Sequence, residues 1–152
     1  MANGSTSSRK PTGEGLTGRF APRAGAKALV TGDSAVLLVR KRHSDGSPFW
    51  TLPGGGVRPH ETHAEGLRRE LREELDCRTR IADPLSTFWY AHDSHEAGLS
   101  AYAVFECSLH STPTPNPAEG VFEARWVEPG EFPPTTLPQV RYLCSRVLAA
   151  ED

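Results

Sequence analysis

The chain has 152 residues, a formal net charge of −2 and 37% hydrophobic residues, which suits one globular domain and leaves too little length for two. No stretch approaches the roughly 18 apolar residues of a membrane span, and the first residues lack the apolar core of a secretory signal. We therefore expect a soluble, cytoplasmic protein with no membrane partner. A slightly acidic domain also argues against a surface for duplex nucleic acid.

The first 25 residues predict a flexible tail. They contain five glycines, two prolines, many serines and threonines, and no sustained apolar periodicity. The folded part is therefore predicted to be a single domain over residues 26–150. Its cysteines, Cys77, Cys107 and Cys144, are too scattered for a disulfide framework or a zinc site, so we expect free thiols.

Two apolar runs rich in β-branched residues occupy 26–42, with the sequence AKALVTGDSAVLLVRKR. The interruption at Gly32, Asp33 and Ser34 has the composition of a tight turn, so the two runs predict a hairpin. The segment FWTL that follows predicts a short strand, which leads into a proline and a bend formed by glycines 54–56.

The apolar residues Ala64, Leu67, Leu71 and Leu75 recur at helical spacing among strong helix formers, which predicts a helix over 62–75. The first residue of that segment is a threonine, whose hydroxyl is suited to cap the amino end of the helix. The same spacing places the leucines on one face, so this face is expected to pack against the sheet.

The rest of the chain predicts further strands and a second helix. Strands are expected in RTRIAD, LSTFWYA and SAYAVFECSL, and in FEARWV beyond a proline-rich loop at 111–120. The segment QVRYLCSRVLAA has the spacing of an amphipathic helix. Strands with helices inserted at two points predict an α+β domain built on a mixed sheet. Within it we assign Trp50, Trp89 and Trp126 to the core rather than to stacking on a base.

Glu70, Glu73 and Glu74 stand at i, i+3 and i+4 and therefore project from one side of the helix. Like charges at this spacing repel one another, so they need partners. One explanation is a solvated surface on which the neighbouring arginines form ion pairs with them. The other is a divalent cation such as Mg²⁺, which takes hard oxygen ligands. The glycine bend and the nearby Glu61 favour the cation, because they bring backbone N–H groups and another carboxylate to the same corner.

These residues resemble the signature of the Nudix hydrolases, G-x5-E-x7-R-E-U-x-E-E-x-G-U, in which U is a bulky apolar residue. The residues that match in register are Gly55, Glu61, Arg69, Glu70, Glu73 and Glu74. The chain departs from the signature at Asp76, which replaces the final glycine, and at Cys77, which replaces the last apolar residue. Aspartate tolerates the left-handed conformation wanted at a helix end better than most residues do.

The resemblance implies an α/β/α sandwich around a mixed sheet. It also implies hydrolysis of the pyrophosphate bond of a nucleoside diphosphate linked to another group, by water attack on phosphorus. The implied cofactor is Mg²⁺ or Mn²⁺, with one to three ions bound, and the implied partner is a small nucleotide. The implied metal ligands are Glu70, Glu73, Glu74 and Glu61. The implied catalytic residues are Glu70, Glu73, Glu74 and Arg69.

The remaining residue assignments concern the surroundings of this set. Glu61 is either an outer ligand or the partner that fixes Arg69, which orients carboxylates through a bidentate contact. Gly55 and Gly56 are expected to shape the turn and contact the substrate. Arg42 is assigned to substrate binding, as one of three cations, with Arg40 and Lys41, that end a strand near the motif and are candidates to bind phosphate.

Several alternatives stay open at this stage. The general base is Glu70 or, as in some relatives, a glutamate of a late loop, for which Glu119 and Glu123 are candidates. The segment WTLPGG before the motif resembles the nucleoside triphosphate or general-purpose subgroup of the family more than its ADP-ribose or coenzyme A subgroups. A non-catalytic nucleotide sensor is the alternative function, and a homodimer is left open. His92 and His95 lie in a predicted loop and are not assigned to a metal.

Overall fold

The computed structural model of the protein describes residues 22–91 and 98–150. Its strands are β1 (Arg23–Gly32), β2 (Ala35–Arg42), β3 (Pro48–Thr51), β4 (Gly54–Gly56), β5 (Thr79–Ala91), β6 (Leu99–Leu109) and β7 (Glu123–Val127). Its helices are α1 (His63–Leu75) and α2 (Pro138–Ala150), with short 3-10 turns at Pro117–Glu119 and Pro129–Glu131. The strands form one mixed sheet with the path β3-β2-β1-β6-β5, while β4 pairs with β1 and β7 pairs with β2.

The predicted hairpin is confirmed. Gly32 and Ala35 face each other across the turn, and the two residues between them have φ values of 52° and 69°. This is the positive-φ geometry that two-residue hairpin turns require. Only two residue pairs join β1 to β2, because β1 then pairs with β4 on the same side and runs parallel to β6 on the other.

Helices cover both faces of the sheet, which confirms the predicted α/β/α sandwich. Alternate residues of β1 point to opposite faces. Ala26, Ala28 and Val30 pack in the cluster that contains the α1 leucines. Leu29 packs in the second cluster, with Val140, Leu143 and Cys144 of α2. The odd-numbered side chains of β1 therefore face α2, and the even-numbered ones face α1.

Helix α1 begins and ends at the predicted residues. The Thr62 hydroxyl accepts from the Glu65 backbone N–H, and the Glu65 carboxylate accepts from the Thr62 N–H, which is a complete capping box. Asp76 ends the helix in the left-handed conformation, with φ 53° and ψ 42°, and its N–H donates to the Arg72 carbonyl at 3.0 Å. The aspartate thus takes the backbone conformation for which the signature normally uses glycine.

The structure differs from the sequence expectations at several points. The first strand begins at Arg23, inside the segment assigned to the tail, and the earlier part of that segment lies outside the described residues. Strand β4 was expected to be only a bend. The two segments predicted after α1 form one strand, β5, with register shifts between Ile81 and Ser86. His92 and His95 lie outside the described residues.

The core prediction for the tryptophans is right only for Trp50, which is buried. Trp89 and Trp126 are 53% and 45% exposed. The cysteines are free, as predicted, and all three are buried. Across the described residues, none of the helices combines the length and the apolar character needed to cross a membrane.

Candidate active site

The glycine turn and α1 are joined through Glu74. Strand β4 lies antiparallel to the start of β1, with Gly54 opposite Lys27. The Gly54 N–H donates to Oε1 of Glu74 at 3.0 Å. Gly54 has φ 129°, and a Cβ there would collide with the Ala26 carbonyl oxygen, so glycine is required for this close approach. The contact holds the turn against the acidic side of the helix.

Glu74 is buried and is neutralised by a lysine from β2. Its Oε2 lies 3.0 Å from Nζ of Lys41, which also donates to the Gly54 carbonyl at 3.0 Å. Burial alone lowers the pKa of Lys41, but the charge of Glu74 opposes it and the net direction is upward. Glu73 and Glu74, which were predicted to lie side by side, have different surroundings. The Glu73 side chain is 36% exposed, while Glu74 is only 3% exposed.

Arg69 connects the other carboxylates. Its Nε and Nη2 donate to Oε2 and Oε1 of Glu61 at 2.7 and 2.9 Å, which is the bidentate contact predicted for it. Nη1 donates to Glu70 at 3.0 Å and to Glu73 at 3.1 Å. Nη2 also donates to the Gly56 carbonyl at 2.9 Å. The hydrogen bonds from Arg69 hold the pKa of Glu61 down at about 2, with help from the Arg58 N–H.

The negative charge of Glu70 is less fully compensated by nearby cations than the charges of Glu61 and Glu74. Burial, followed by the charge of Glu74, raises its pKa, and Arg69 only partly opposes this effect. Its carboxylate lies against Gly55, where an added Cβ would come within 2.7 Å of the Glu70 carboxyl carbon. The glycine therefore leaves the space that the carboxylate occupies.

In residues 22–91 and 98–150, no three acidic, histidine or cysteine side chains converge in a geometry that could hold a metal ion. Arg69 engages three of the four motif carboxylates in this arrangement. The donor chemistry nevertheless fits a hard divalent cation, since every candidate ligand is a carboxylate oxygen. The adjacent charges of Glu70 and Glu74 provide the negative potential that such an ion would offset.

A cavity of about 140 Å³ adjoins the site, with Lys27 and Lys41 of the site among its lining residues. Its other lining residues include Arg42, the aromatic rings of Phe49, Tyr90 and Tyr102, and Thr51. The same cavity is thus lined by both cationic groups and aromatic rings. Such a combination suits a ligand that has an anionic part and a planar apolar part.

The remaining candidate base and phosphate-binding residues have different surroundings in the structure. Glu123 pairs with Arg125 at 2.8 Å and with Arg40 at 3.3 Å, and the Arg125 contact lowers its pKa most. Arg40 is thereby engaged away from the glutamate cluster. Arg42 is exposed, with its guanidinium 4.0 Å from the centre of the Phe122 ring. Glu119 is exposed in a 3-10 turn.

Two residues in the site were not singled out from the sequence. Asn116 donates to the Glu73 carbonyl at 3.1 Å and accepts from the Ala118 N–H, which ties the proline-rich loop to α1. Lys27 was not identified as a site residue because it lies within a predicted apolar strand. The only signal was that a lysine interrupts an otherwise small and apolar run, AKALV.

Comparisons with known proteins agree with this arrangement. A family model described as the NUDIX domain matches residues 21–146. The Nucleoside triphosphatase NudI of Enterobacter sp. (strain 638) is 37% identical over 90 residues, which cover 52% of this chain and 63% of that relative. The NudI protein of Escherichia coli O1:K1 / APEC matches with the same identity and coverage. The match thus spans slightly less than two thirds of these curated relatives.

Solved structures share the fold. The crystal structure of MutT NUDIX hydrolase from Burkholderia pseudomallei superimposes with a TM-score of 0.73 at 24% identity, covering 84% of this chain and 98% of that one. The solution structure of the E. coli ORF135 protein gives a TM-score of 0.71 at 18% identity, with coverages of 88% and 94%. At such identities the likeness concerns the fold alone. The family match, however, includes the glycine turn and the whole of α1, and the chain belongs to the NUDIX family.

Proposed function

We propose that the protein hydrolyses the pyrophosphate bond of a nucleotide by water attack on phosphorus, with Mg²⁺ or Mn²⁺ as cofactor. The observation that carries this proposal is the joining of Glu61, Glu70 and Glu73 through one arginine, beside Glu74 and the glycine turn. A solvated helix would need neither the buried carboxylate nor the close approach of the turn.

Glu73 and Glu74 are the residues that would hold the metal, Glu70 is either a third ligand or the base for the water, and Glu61 fixes Arg69 from outside this set. When bound, a divalent ion neutralises phosphate oxygens and lowers the pKa of a coordinated water. Arg69 keeps the carboxylates in place through its fixed planar fork, and its contact with the Gly56 carbonyl couples them to the turn.

Glu70 is the best placed of the candidate bases to take the proton of the attacking water. Its carboxylate lies against Gly55 of the glycine turn, inside the cluster of motif residues. Glu123 is held by arginines that stabilise its charged form, which disfavours it as a base. Glu119 lies in an exposed turn and has no comparable support for its position.

The substrate we propose is a nucleoside triphosphate, or a related nucleotide of similar size. The cavity beside the glycine turn supplies aromatic rings for a base and cations for phosphates. Curated relatives that are 37% identical over the matched segment carry the name nucleoside triphosphatase, although the match covers only 63% of their length. A cavity of about 140 Å³ must adjust to admit a whole nucleotide.

The test is hydrolysis of a panel of nucleoside triphosphates, nucleoside diphosphate sugars, dinucleoside polyphosphates and ADP-ribose, with Mg²⁺ and with a chelator. We expect turnover of at least one triphosphate that stops when the metal is removed. The double variant Glu73→Gln, Glu74→Gln should abolish it. Metal-independent turnover, or turnover unaffected by the double substitution, would contradict the assignment. Tight nucleotide binding without any turnover would favour a sensor instead.

A further inference from the structure

Lys27 places an ammonium group in the protein interior. It is only 4% exposed and lies on β1 opposite Gly54. Its Nζ donates to the Gly54 carbonyl at 3.1 Å and lies 4.7 Å from the centre of the Tyr102 ring. Burying a charge is costly unless a counter-charge and hydrogen bonds compensate it, so the surroundings of this group should include an anion.

No carboxylate of the described residues pairs directly with Lys27. Among the ion pairs found in the described residues none involves Lys27, while the nearby Glu74 is paired with Lys41. Lys27 and Lys41 both donate to the Gly54 carbonyl oxygen. Burial and the charge of Lys41 lower the pKa of Lys27 well below its usual value, more than the attraction of Glu74 and Glu70 raises it. Within the described residues the Gly54 carbonyl, shared with Lys41, is therefore the hydrogen-bond acceptor of the Lys27 Nζ, and no carboxylate contacts it directly.

The Lys27 side chain borders the cavity that carries the aromatic rings. Lys27 lines this cavity together with Phe49 and Tyr90. The Gly54 carbonyl that Lys27 contacts belongs to the glycine turn. Gly54 in turn donates to Glu74. The Lys27 ammonium is thus linked to the carboxylate set through one residue, Gly54. The phosphates of a bound nucleotide must lie beside these carboxylates if the proposed reaction is correct.

We propose that Lys27 binds a phosphate oxygen of the nucleotide, which gives its ammonium a direct anionic partner. This inference rests on the proposed function and assigns a substrate-binding residue outside the Nudix signature. Lys27 contributes a compact charge that hydrogen-bonds the substrate, while Lys41 holds Glu74. The residue is built into β1 rather than into a loop, so its position is fixed before the substrate arrives.

The experiment is calorimetric binding of two sets of probes in magnesium buffer. One set comprises the α,β-methylene analogues of the four common ribonucleoside triphosphates, and the other comprises the parent nucleosides. Lys27→Met removes the charge and keeps the length of the side chain. We expect triphosphate affinity to fall about 10- to 100-fold, as for a lost hydrogen bond to a charged group, and nucleoside affinity to stay unchanged. The exposed Arg80→Met on β5 is the control and should bind both sets as the parent protein does.

Thermal unfolding separates this role from a structural one. Removing a buried, undercompensated charge should leave the melting temperature of Lys27→Met equal to or above that of the parent protein, whereas a structural lysine would lower it. Lys27→Gln is made alongside and should give the same binding loss, so that a folding defect in one variant does not decide the result.

The outcomes are distinct. Unchanged triphosphate binding by folded Lys27→Met would overturn the assignment, and so would an equal loss for nucleosides, which would place Lys27 against the base. If the parent protein binds none of the analogues, the proposed function fails, and the role of Lys27 fails with it.

Discussion

Arg69 donates two hydrogen bonds of 2.7 and 2.9 Å to Glu61, although the two residues are eight positions apart and Glu61 precedes the helix. The same guanidinium reaches Glu70, Glu73 and the Gly56 carbonyl. A planar group with five donors can satisfy this set, while a lysine ammonium cannot reproduce its fork. The position of the acidic side chains therefore depends on one residue that is itself not a metal ligand.

Replacing Arg69 by lysine should impair hydrolysis while keeping the positive charge. We expect activity at limiting Mg²⁺ to fall about 10- to 100-fold, the range found when partners of metal ligands are altered. The measurement is a Mg²⁺ titration of initial rates. Arg72→Lys, at an exposed position on the same helix, is the matched control and should titrate like the parent protein. Equal titration curves for both variants would contradict the orienting role of Arg69.

Replacing Gly55 by alanine should disturb the site by displacing the Glu70 carboxylate. The Cβ of Gly55→Ala would lie 2.7 Å from the Glu70 carboxyl carbon, so the flexible carboxylate must move while the backbone stays. We expect a loss of activity of about tenfold or more with a small change in melting temperature. An added Cβ at Gly130 meets no atom within 4 Å, so Gly130→Ala should keep full activity. A Gly55→Ala variant with unchanged kcat would argue against Glu70 as a catalytic residue.

The ion pair between Glu61 and Arg69 should make a pH-dependent contribution to stability. The pKa of Glu61 is lowered in the folded protein from 4.5 to about 2, so the folded state favours the charged carboxylate. The resulting stabilisation is fully present above pH 4.5 and is lost as the pH falls towards 2.

The melting temperatures of the parent protein and Glu61→Gln, measured from pH 7 down to pH 2, test this. Their difference should be constant near neutrality and should shrink below pH 4.5 as the carboxylate is protonated. Glu128→Gln serves as the control, since its side chain makes no capping hydrogen bond in the 3-10 turn that it precedes. A difference that grows on acidification would have the wrong sign for this ion pair.

Asp76→Gly should stabilise the protein. The aspartate has φ 53° at the helix end, where glycine avoids the steric cost of a side chain and removes a negative charge from the carboxyl end of the helix dipole. We expect the free energy of unfolding to rise by about 0.5–1 kcal/mol, measured by urea denaturation. Asp76→Val, with a β-branched residue at the same φ, should have the opposite effect. If glycine lowers stability, the aspartate side chain contributes a contact that outweighs its strain.

The elements governed by local chemistry could be predicted from the sequence. The capping threonine, the leucine spacing and the left-handed Asp76 all act within one or two turns of α1, and the tight turn at Asp33 and Ser34 is equally local. The contact between Arg69 and Glu61 was one of two roles that the resemblance to the Nudix signature implied for Glu61, the other being an outer metal ligand.

Long-range pairing decided what the sequence left open. Helical spacing treats Glu73 and Glu74 as equivalent neighbours, yet one is partly exposed and the other is buried against the turn. The difference arises because β1, β2 and β4 meet at Gly54, whose carbonyl receives Lys27 and Lys41 from 27 and 13 residues away. Which charges become buried together depends on how strands pair across the sheet, and residue spacing along one segment does not contain that information.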